Sequence, residues 1–367
     1  MRGYQIRKEN EMKACASVKL VLLYLVLVST LAVTSGASAQ PGEFVKGVLQ
    51  PLADGFPKRA LNIIVVDDPG SRDDLYAKSM QAALKGVSPV NIITTCEPSA
   101  MGGSWYTLQE LLKREGGNDG YYMIVVPPFG MVTDLHVDPA LREIGAKVEQ
   151  LNMVISTEWV PYTMLQRKNA PWGRTYASLE KYGKENPGKL RYVSYEVGSG
   201  SDICCEWILN TRGIKVKKMP QGNAQECASA IGGGMGDFTV IPYQTAVTNW
   251  EAGRVDVILT MGATVPSLWK DDPNVVSAKQ VGLSPDVGIA PRGFGVPSQV
   301  PQAHVDWLYK LFESATTTDI YKERTKTIPG LVIEVVDGKT ANAWNLNLLK
   351  VTDPIIHAIG IHVDDKK

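Results

Sequence analysis

The chain has 367 residues, of which 44% are hydrophobic and 21% charged, and its 38 Lys and Arg residues balance 38 Asp and Glu residues. This balance excludes the strong positive charge that binding to nucleic acid or to an anionic membrane surface requires. The length fits one large domain or two lobes, each able to bury a core of its own.

Residues 1–39 have the three parts of a cleavable secretory signal. A basic start precedes an apolar run from Leu20 to Val33, and Ala37-Ser38-Ala39 has the A-x-A pattern that signal peptidases accept. Because a transmembrane helix needs about 20 apolar residues, the run favours cleavage over an uncleaved membrane anchor. Met12 is an alternative start. We expect an exported, soluble mature chain of 328 residues with a net charge of about −3.

Cysteine and histidine spacing gives little sign of a metal centre. The mature chain keeps four cysteines: Cys96, Cys204, Cys205 and Cys227. Export permits a disulfide between Cys227 and one of the adjacent pair, and small buried thiols are an equal alternative. There is no CxxC, and none of the four histidines lies near a cysteine, so we expect neither a zinc site nor a cofactor.

Apolar strands, glycine-containing turns and helices alternate along the chain. After a loosely held lead-in over residues 40–60, strands are predicted at 61–66, 90–94 and 121–126. One helix is predicted at 73–84, and a second follows the 90–94 strand and ends at about residue 114. The alternation restarts beyond residue 150, with strands at 190–194, 214–218, 237–241 and 255–259 and helices between them. Two amphipathic helices, at 304–314 and 340–359, close the chain.

This alternation is typical of parallel sheets covered by helices. We therefore predict an α/β fold with two lobes and a ligand cleft between them. Lobe 1 comprises residues 61–160 and 286–367, and lobe 2 comprises residues 161–285.

Three strand-to-helix turns are rich in Gly and Ser. They are Gly70-Ser71, Gly102-Gly103-Ser104 and Gly198-Ser199-Gly200-Ser201. Such turns lie at the carboxyl ends of strands, where glycine admits a ligand to the backbone and the helix start offers free N–H groups to an anion. Gly and Ser are also ordinary turn and capping residues. The agreement of three turns nevertheless predicts a site for a carboxylate.

Two further residues are candidates for the same cleft. Tyr243 follows a predicted strand, where it could line the cleft or pack in the core. Arg292 lies where the chain should cross back between the lobes and could pair with an anionic ligand.

Catalysis is less well supported. Gly198-Ser199-Gly200 is not a G-x-S-x-G nucleophile elbow, and no His or acid is spaced to activate Ser199 or Ser201. The glycines at 232–236 follow a helix and precede a strand, which is the wrong order for a dinucleotide-binding loop. We expect no enzyme and no catalytic residue.

Several short motifs occur in a recognisable order. Residues 186–192 read N-P-G-K-L-R-Y and lead to the Gly198 turn; Pro69-Gly70 with Asp74 and Asp119-Gly120-Tyr121 lie upstream. Downstream come Gly233-Gly234 with Asp237 and then Ala252-Gly253-Arg254. In this order the motifs resemble the periplasmic substrate-binding proteins of tripartite tricarboxylate transporters, the TctC or Bug family.

The resemblance implies a type II, Venus-flytrap binding protein that works as a monomer in the periplasm. Such a protein closes on a small carboxylate, held by backbone N–H groups and waters, and delivers it to membrane transporter subunits. Carried over residue by residue, the ligand contacts are Gly70, Ser71, Gly102, Gly103, Gly198, Ser199 and Ser201.

This sequence departs from the family pattern at several of these turns. Ser71 replaces a second Gly, Met101 replaces a Gly, and Asp202 stands where a His is common. With the neighbouring Arg72 these residues can change pocket shape or charge, so the ligand's identity is not inherited. Alternative roles are a ligand sensor for a membrane receptor and a secreted α/β hydrolase using Ser199 or Ser201.

Overall fold

The computed structural model describes residues 41–98, 102–195, 198–289, 291–327 and 331–365. The predicted signal peptide and Met101 lie outside these residues. Among the helices that are described, none is long and apolar enough to cross a membrane. Two six-stranded sheets, each packed between apolar clusters, form two lobes.

The first lobe begins with a short hairpin, in which β1 (Phe44–Val45) pairs with β2 (Val48–Leu49). The strands of its sheet are β3 (Leu61–Val65), β4 (Ile92–Cys96), β5 (Tyr122–Val126), β6 (Leu151–Trp159), β13 (Arg292–Pro297) and β14 (Val332–Asp337). Their order is β14-β6-β13-β5-β3-β4. Strand β3 is parallel to β4 and β5, whereas β13 is antiparallel to β5 and β6.

Helices cover this first sheet. They are α1 (Arg72–Leu84), α2 (Gly103–Lys113), α3 (Pro128–Val137), α4 (Pro139–Glu143), α9 (Gln302–Thr316), α10 (Asp319–Thr327) and α11 (Gly338–Ala358). Short 3₁₀ helices occur at Val148–Gln150 and Val363–Asp365.

The second lobe has the same construction. Its strands are β7 (Tyr162–Arg167), β8 (Leu190–Tyr195), β9 (Val216–Gln221), β10 (Phe238–Pro242), β11 (Val255–Thr260) and β12 (Val276–Ser277), in the order β12-β11-β7-β10-β8-β9. Its helices are α5 (Tyr176–Glu185), α6 (Gly200–Arg212), α7 (Ala224–Gly232) and α8 (Tyr243–Glu251), with a 3₁₀ helix at Lys279–Val281.

Burial along the strands explains why they read as continuous apolar runs. All six residues of β11 are buried, as are four of the five residues of β3. Strands covered on both faces need apolar side chains in both directions rather than alternation. The predicted two-lobed α/β class is confirmed.

The sequence pattern does not predict α3, α10, β13 or β14. Helix α3 begins at Pro128, directly after Pro127. Two consecutive prolines usually indicate a break in regular secondary structure. At the first helical position, however, proline lacks only an N–H that would be free anyway. In β13 a side chain on Gly293 would lie 2.1 Å from the Ile155 carbonyl oxygen, so close strand packing requires a glycine that weakens the strand signal.

The lead-in is not loosely held, and that expectation is wrong. Leu49 is fully buried and Phe56 stacks on His304, with 3.9 Å between ring centroids. The Trp307 indole N–H donates to the Gln50 carbonyl at 2.8 Å. These contacts attach the segment to α9.

The four described cysteines are free thiols. Cys204 and Cys205 lie in one apolar cluster of the second lobe and Cys227 in another. The disulfide alternative is therefore wrong, and the alternative of buried thiols is confirmed for these three residues.

The chain passes between the lobes along two segments that lie side by side. Pro161 and Ile289 form an antiparallel bridge, and the Tyr162 N–H donates to the Gly288 carbonyl at 2.8 Å. The start of α6 also belongs to this junction, because Ile203 packs in the same apolar cluster as Phe129 and Ile356 of the first lobe.

A buried ion pair holds α1 and α10 against β6. The Arg324 guanidinium pairs with the fully buried Glu158 carboxylate and also donates to the Leu75 carbonyl and Ser79 Oγ, both at 3.1 Å. Beside it, the Thr157 hydroxyl bonds to both Tyr76 Oη at 2.7 Å and Tyr321 Oη at 2.8 Å. This polar network sets the position of the first helix relative to the sheet.

Arg324→Met is expected to lower the free energy of unfolding by about 3–5 kcal/mol, because it leaves the Glu158 charge buried and unpaired. Denaturant unfolding measures the change. The matched control is Lys326→Met on the same helix, whose partner Glu323 is exposed; it should change stability by less than about 1 kcal/mol. Equal effects of the two substitutions would contradict this view of the network.

Candidate functional site

A buried aspartate, Asp74, forms hydrogen bonds with the residues of the turn before α1. Gly70 has φ of +85°, and the Ser71 hydroxyl caps the helix by accepting the Asp74 N–H at 3.2 Å. The Asp74 carboxylate accepts the Gly70 N–H in return, at 2.7 Å. It also accepts from Lys78 Nζ at 2.7 Å and from the Cys96 thiol at 3.3 Å.

The turn before α6 repeats this arrangement. Gly198 has φ of +86°, and its N–H donates to the Asp202 carboxylate at 3.0 Å. Ser199 Oγ accepts the Asp202 N–H at 3.3 Å and donates to the Tyr195 carbonyl at 2.7 Å. Lys218 Nζ lies 2.8 Å from the Asp202 carboxylate.

These bonds change the role expected for the first and third turns. The N–H groups of Gly70 and Gly198 are occupied by Asp74 and Asp202, and the Ser71 N–H donates to the Asp68 carbonyl at 3.0 Å. In this structure these N–H groups are therefore not free to bind a ligand directly. Asp202, which replaces a common histidine, is thus the residue that closes its turn.

Two arginines next to these turns carry N–H groups that have no hydrogen-bond partner among the residues that the structure describes. Arg72 is the first residue of α1, and its Nε and Nη2 atoms are buried and bonded to no other group. The Arg292 side chain is 9% exposed at the start of β13; its Nε donates to Asp73, while its Nη1 is buried without a partner.

These side chains lie close enough together at the junction between the lobes for Arg292 to change the pKa of Arg72. Burial, followed by repulsion from Arg292, lowers the pKa of Arg72 to about 9, which leaves it charged at neutral pH. The negative charges that oppose this shift belong to Asp73 and Glu158. Burial raises the pKa of Tyr162, whereas both arginines act to lower it. Tyr162 directly follows the first crossing segment.

Tyr162 also connects the arginines to the start of α6. A Cβ added to Gly200 would lie 2.6 Å from Tyr162 Oη and 2.8 Å from the Phe129 ring, so only glycine permits this approach. The next residue, Ser201, is 1% exposed, and its hydroxyl has no partner. The two arginines of the first lobe and the start of α6 in the second lobe therefore both lie near Tyr162.

The remaining predicted residues are placed differently. Gly102 has φ of +80° and is buried with Gly103, Ser104 is half-buried, and a Cβ on Gly102 would lie 3.0 Å from Asp138 Oδ2. Tyr243 is fully buried in the second lobe, edge-on to Trp269 at 5.1 Å, which matches the core alternative. Burial raises its pKa to about 12.

A cavity of about 340 Å³ lies beside the crossing segments. Residues of both lobes line it, among them Trp159, Met261, Asp286 and Glu334. Its charged groups are carboxylates, so it does not suit an anion. The arginine pair is the better candidate for a carboxylate.

Arg72 and Tyr162 were not among the ligand contacts predicted from the sequence. One signal for Arg72 was present, because a cation directly after a Gly/Ser turn occupies the first helical position beside the predicted ligand. The signal for Tyr162 was its place at a crossing segment, where an aromatic residue could line the cleft, but its contact with α6 depends on how the chain folds.

Two α/β lobes, joined by paired crossing segments and with polar groups converging between them, define the class of two-lobed binding proteins. The chain belongs to the tripartite tricarboxylate transporter receptor family, TctC, whose model matches residues 93–361. Proteins of this family are periplasmic solute-binding proteins rather than enzymes. A UPF0065 protein of Bordetella pertussis is 23% identical over 319 residues, covering 84% of this chain and 92% of the relative.

Solved structures agree with this fold. A TctC solute-binding protein from Polaromonas has a TM-score of 0.71 at 17% identity and covers 83% of this chain and 99% of its own. MatC of Rhodopseudomonas palustris with bound malate has a TM-score of 0.60 at 17% identity, over 82% and 100% of the two chains. An R. palustris protein with adipate has a TM-score of 0.62 at 17% identity, over 82% and 97%.

Asp74→Asn is expected to lower stability by about 1.5–3 kcal/mol at neutral pH, because the carboxylate accepts charged hydrogen bonds. Although burial raises the pKa of Asp74, its bonds to Lys78, Gly70 and Cys96 lower it below 3.8 overall. A lowered folded-state pKa adds stability at neutral pH that is lost as pH falls through that pKa, so the loss should begin below about pH 4.

Denaturant unfolding between about pH 3 and 7 measures this contribution. The matched control is Asp68→Asn in the same turn, whose side chain is exposed. If the two variants showed the same pH dependence, stabilisation of the turn by the hydrogen bonds of the Asp74 carboxylate would be excluded.

Proposed function

We propose that this protein is a periplasmic solute-binding protein that captures a small carboxylate between its lobes and delivers it to a tripartite tricarboxylate-type transporter. Family membership supports the class of protein. The observation that carries the choice of ligand is the set of three buried, unpartnered N–H groups on Arg72 and Arg292.

The geometry of Arg72 suits a carboxylate. Its Nε and Nη2 are the two donors on one edge of the planar guanidinium, and this edge matches the two oxygens of a carboxylate in a bidentate pair. Arg292 Nη1 offers a third donor nearby. Such charge-assisted bonds are the strong ones in proteins.

The balance of charge also favours an anion. Arg292 is paired with Asp73 and Arg324 with Glu158, so the Arg72 charge remains uncompensated. Leaving a buried charge unpaired is unfavourable by several kcal/mol, and a bound carboxylate would remove that penalty. A carboxylate bound beside Arg72 would therefore gain binding energy by removing this penalty.

The start of α6 can hold the other end of the ligand. The first turn of a helix has free N–H groups and a partial positive charge, and the unpartnered Ser201 hydroxyl adds a donor. A dicarboxylate would satisfy both groups at once. The structural neighbours with malate and with adipate support testing this ligand class first.

We propose lobe boundaries at 160/161 and 285/286, where the crossing segments would act as the hinge. A ligand that binds both lobes favours the closed arrangement. Small-angle scattering with a saturating ligand should show compaction.

A hydrolase is not favoured. The Ser199 hydroxyl donates to the Tyr195 carbonyl and caps α6. All four histidines lie elsewhere, because His304 stacks on Phe56 and the other three meet near the C-terminus. No histidine of the described part of the chain is thus placed to activate Ser199 or Ser201.

Calorimetry of the purified protein with aliphatic di- and tricarboxylates, monocarboxylates, aromatic acids and amino acids tests the proposal. Saturable binding of at least one acid, with a rise in Tm, is expected, since a ligand that binds only the folded state stabilises it. A folded protein that responds to none of these acids would contradict carboxylate binding.

Arg72→Lys should weaken binding of the best acid by about 10- to 100-fold, because lysine keeps the charge but loses the bidentate edge. Calorimetry measures the change in Kd. The matched control is Arg114→Lys, an exposed arginine that bonds to Tyr122 Oη at 2.8 Å and should leave Kd unchanged. Equal affinity of Arg72→Lys and the unmodified protein would place the carboxylate elsewhere.

A further inference from the structure

His136 converges with His357 and His362 close to the C-terminus, although it is far from both of them in sequence. His136 belongs to α3, Asp353 to α11, and His362 to the segment that follows α11. His136 and His362 are 7% and 2% exposed, whereas about half of the Asp353 side chain is exposed. Asp353 Oδ1 lies 3.5 Å from His136 Nδ1 and 3.4 Å from His362 Nε2.

These separations match the spacing of ligands around one metal ion. Zn²⁺ binds imidazole nitrogen and carboxylate oxygen at about 2.0–2.1 Å in tetrahedral geometry, which places neighbouring ligand atoms about 3.3–3.4 Å apart. The third separation, between the two imidazole nitrogens, is no more than 4.8 Å. We propose that His136, Asp353 and His362 form a binding site for a divalent transition-metal ion of the Zn²⁺ type.

The surroundings of His136 prepare it to be a ligand. Its Nε2 lies 3.0 Å from the Leu349 carbonyl oxygen, which accepts an N–H and so leaves the Nδ1 lone pair directed toward Asp353. A ligating histidine usually donates its other ring N–H to a carbonyl or carboxylate in this way.

His362 can take the matching tautomer. Its Nδ1 lies 3.1 Å from the Asp364 N–H and 3.4 Å from the Asp364 carboxylate. That N–H donates to Nδ1, so a metal on Nε2 requires the imidazole proton to move to Nδ1, where the Asp364 carboxylate can accept it. Two neutral imidazoles and one carboxylate then face the ion.

A second grouping, made of His357, His362 and Asp364, is less suitable. The Asp364 carboxylate is already paired with Arg142 through both guanidinium nitrogens. His357 is 40% exposed, stacks on His362 with 3.7 Å between centroids, and directs its Nδ1 at Asp365 at 3.1 Å. His357 is thus a neighbour of the proposed site and provides a control for it.

The ion would join α3, α11 and the segment after α11. Helix α11 packs against both α3 and α6, so this connection acts near the place where the two lobes meet. Binding should stabilise the folded protein by mass action.

The test is an equilibrium titration of the purified, chelator-treated protein with Zn²⁺, with Co²⁺ as a spectroscopic probe of four-coordinate geometry. One ion per chain and a rise in Tm are expected. Asp353→Asn and His136→Gln should each weaken binding at least tenfold, because each removes a direct ligand. His357→Gln and His304→Gln should leave Kd within about twofold.

Absence of saturable binding to the folded protein would overturn the site. So would a loss of affinity in His357→Gln that Asp353→Asn does not share, since it would place the ion on the other grouping. Asp353 is half-exposed, so its variant remains decisive even if His136→Gln fails to fold. Carboxylate binding is tested separately with the Arg72 variant, and the result of that experiment does not affect the test of the metal site.

Discussion

In each lobe a buried aspartate ties the first turn of a helix to the glycine that precedes it. Asp74 holds Gly70 and Asp202 holds Gly198, each with a lysine that balances the carboxylate charge. A carboxylate at the third helical position is well placed for this bond because it also lies in the favourable field of the helix start. The two turns are thereby fixed in shape before any ligand arrives, and their positions determine where the neighbouring side chains point.

One consequence is that this chain presents side chains rather than glycine N–H groups to its proposed ligand. With the Gly70 N–H occupied, the nearest free donors at the first turn are those of Arg72, supplemented by Arg292 from β13. Two guanidiniums close together in a buried place destabilise the free protein. Asp73 compensates one of the two charges, and the other is what an anion can satisfy.

The junction between the lobes is also where local stability and function are coupled. The Glu158–Arg324 network sets α1 against the sheet, and α1 carries Arg72 at its first position. On the other side, Gly200 allows α6 to approach Tyr162 and Phe129. Near the C-terminus, α11 packs on α3 and α6, so the histidine group lies on the same connected set of helices. A change in any of these contacts can alter the geometry of the cleft.

The sequence by itself determined the class of fold, because alternating apolar strands, turns and helices allow few arrangements other than helix-covered sheets. It also located the Gly70 and Gly198 turns, since glycine and a capping serine leave a local signature, and the ordered motifs indicated the family. It did not predict β13, whose glycines are required only by the closeness of β6. The tertiary structure alone decided that Arg72 meets Arg292 and that His136 meets His362. Those contacts join residues from separate elements, and side-chain contacts made by chain folding leave no periodic or local pattern along the sequence.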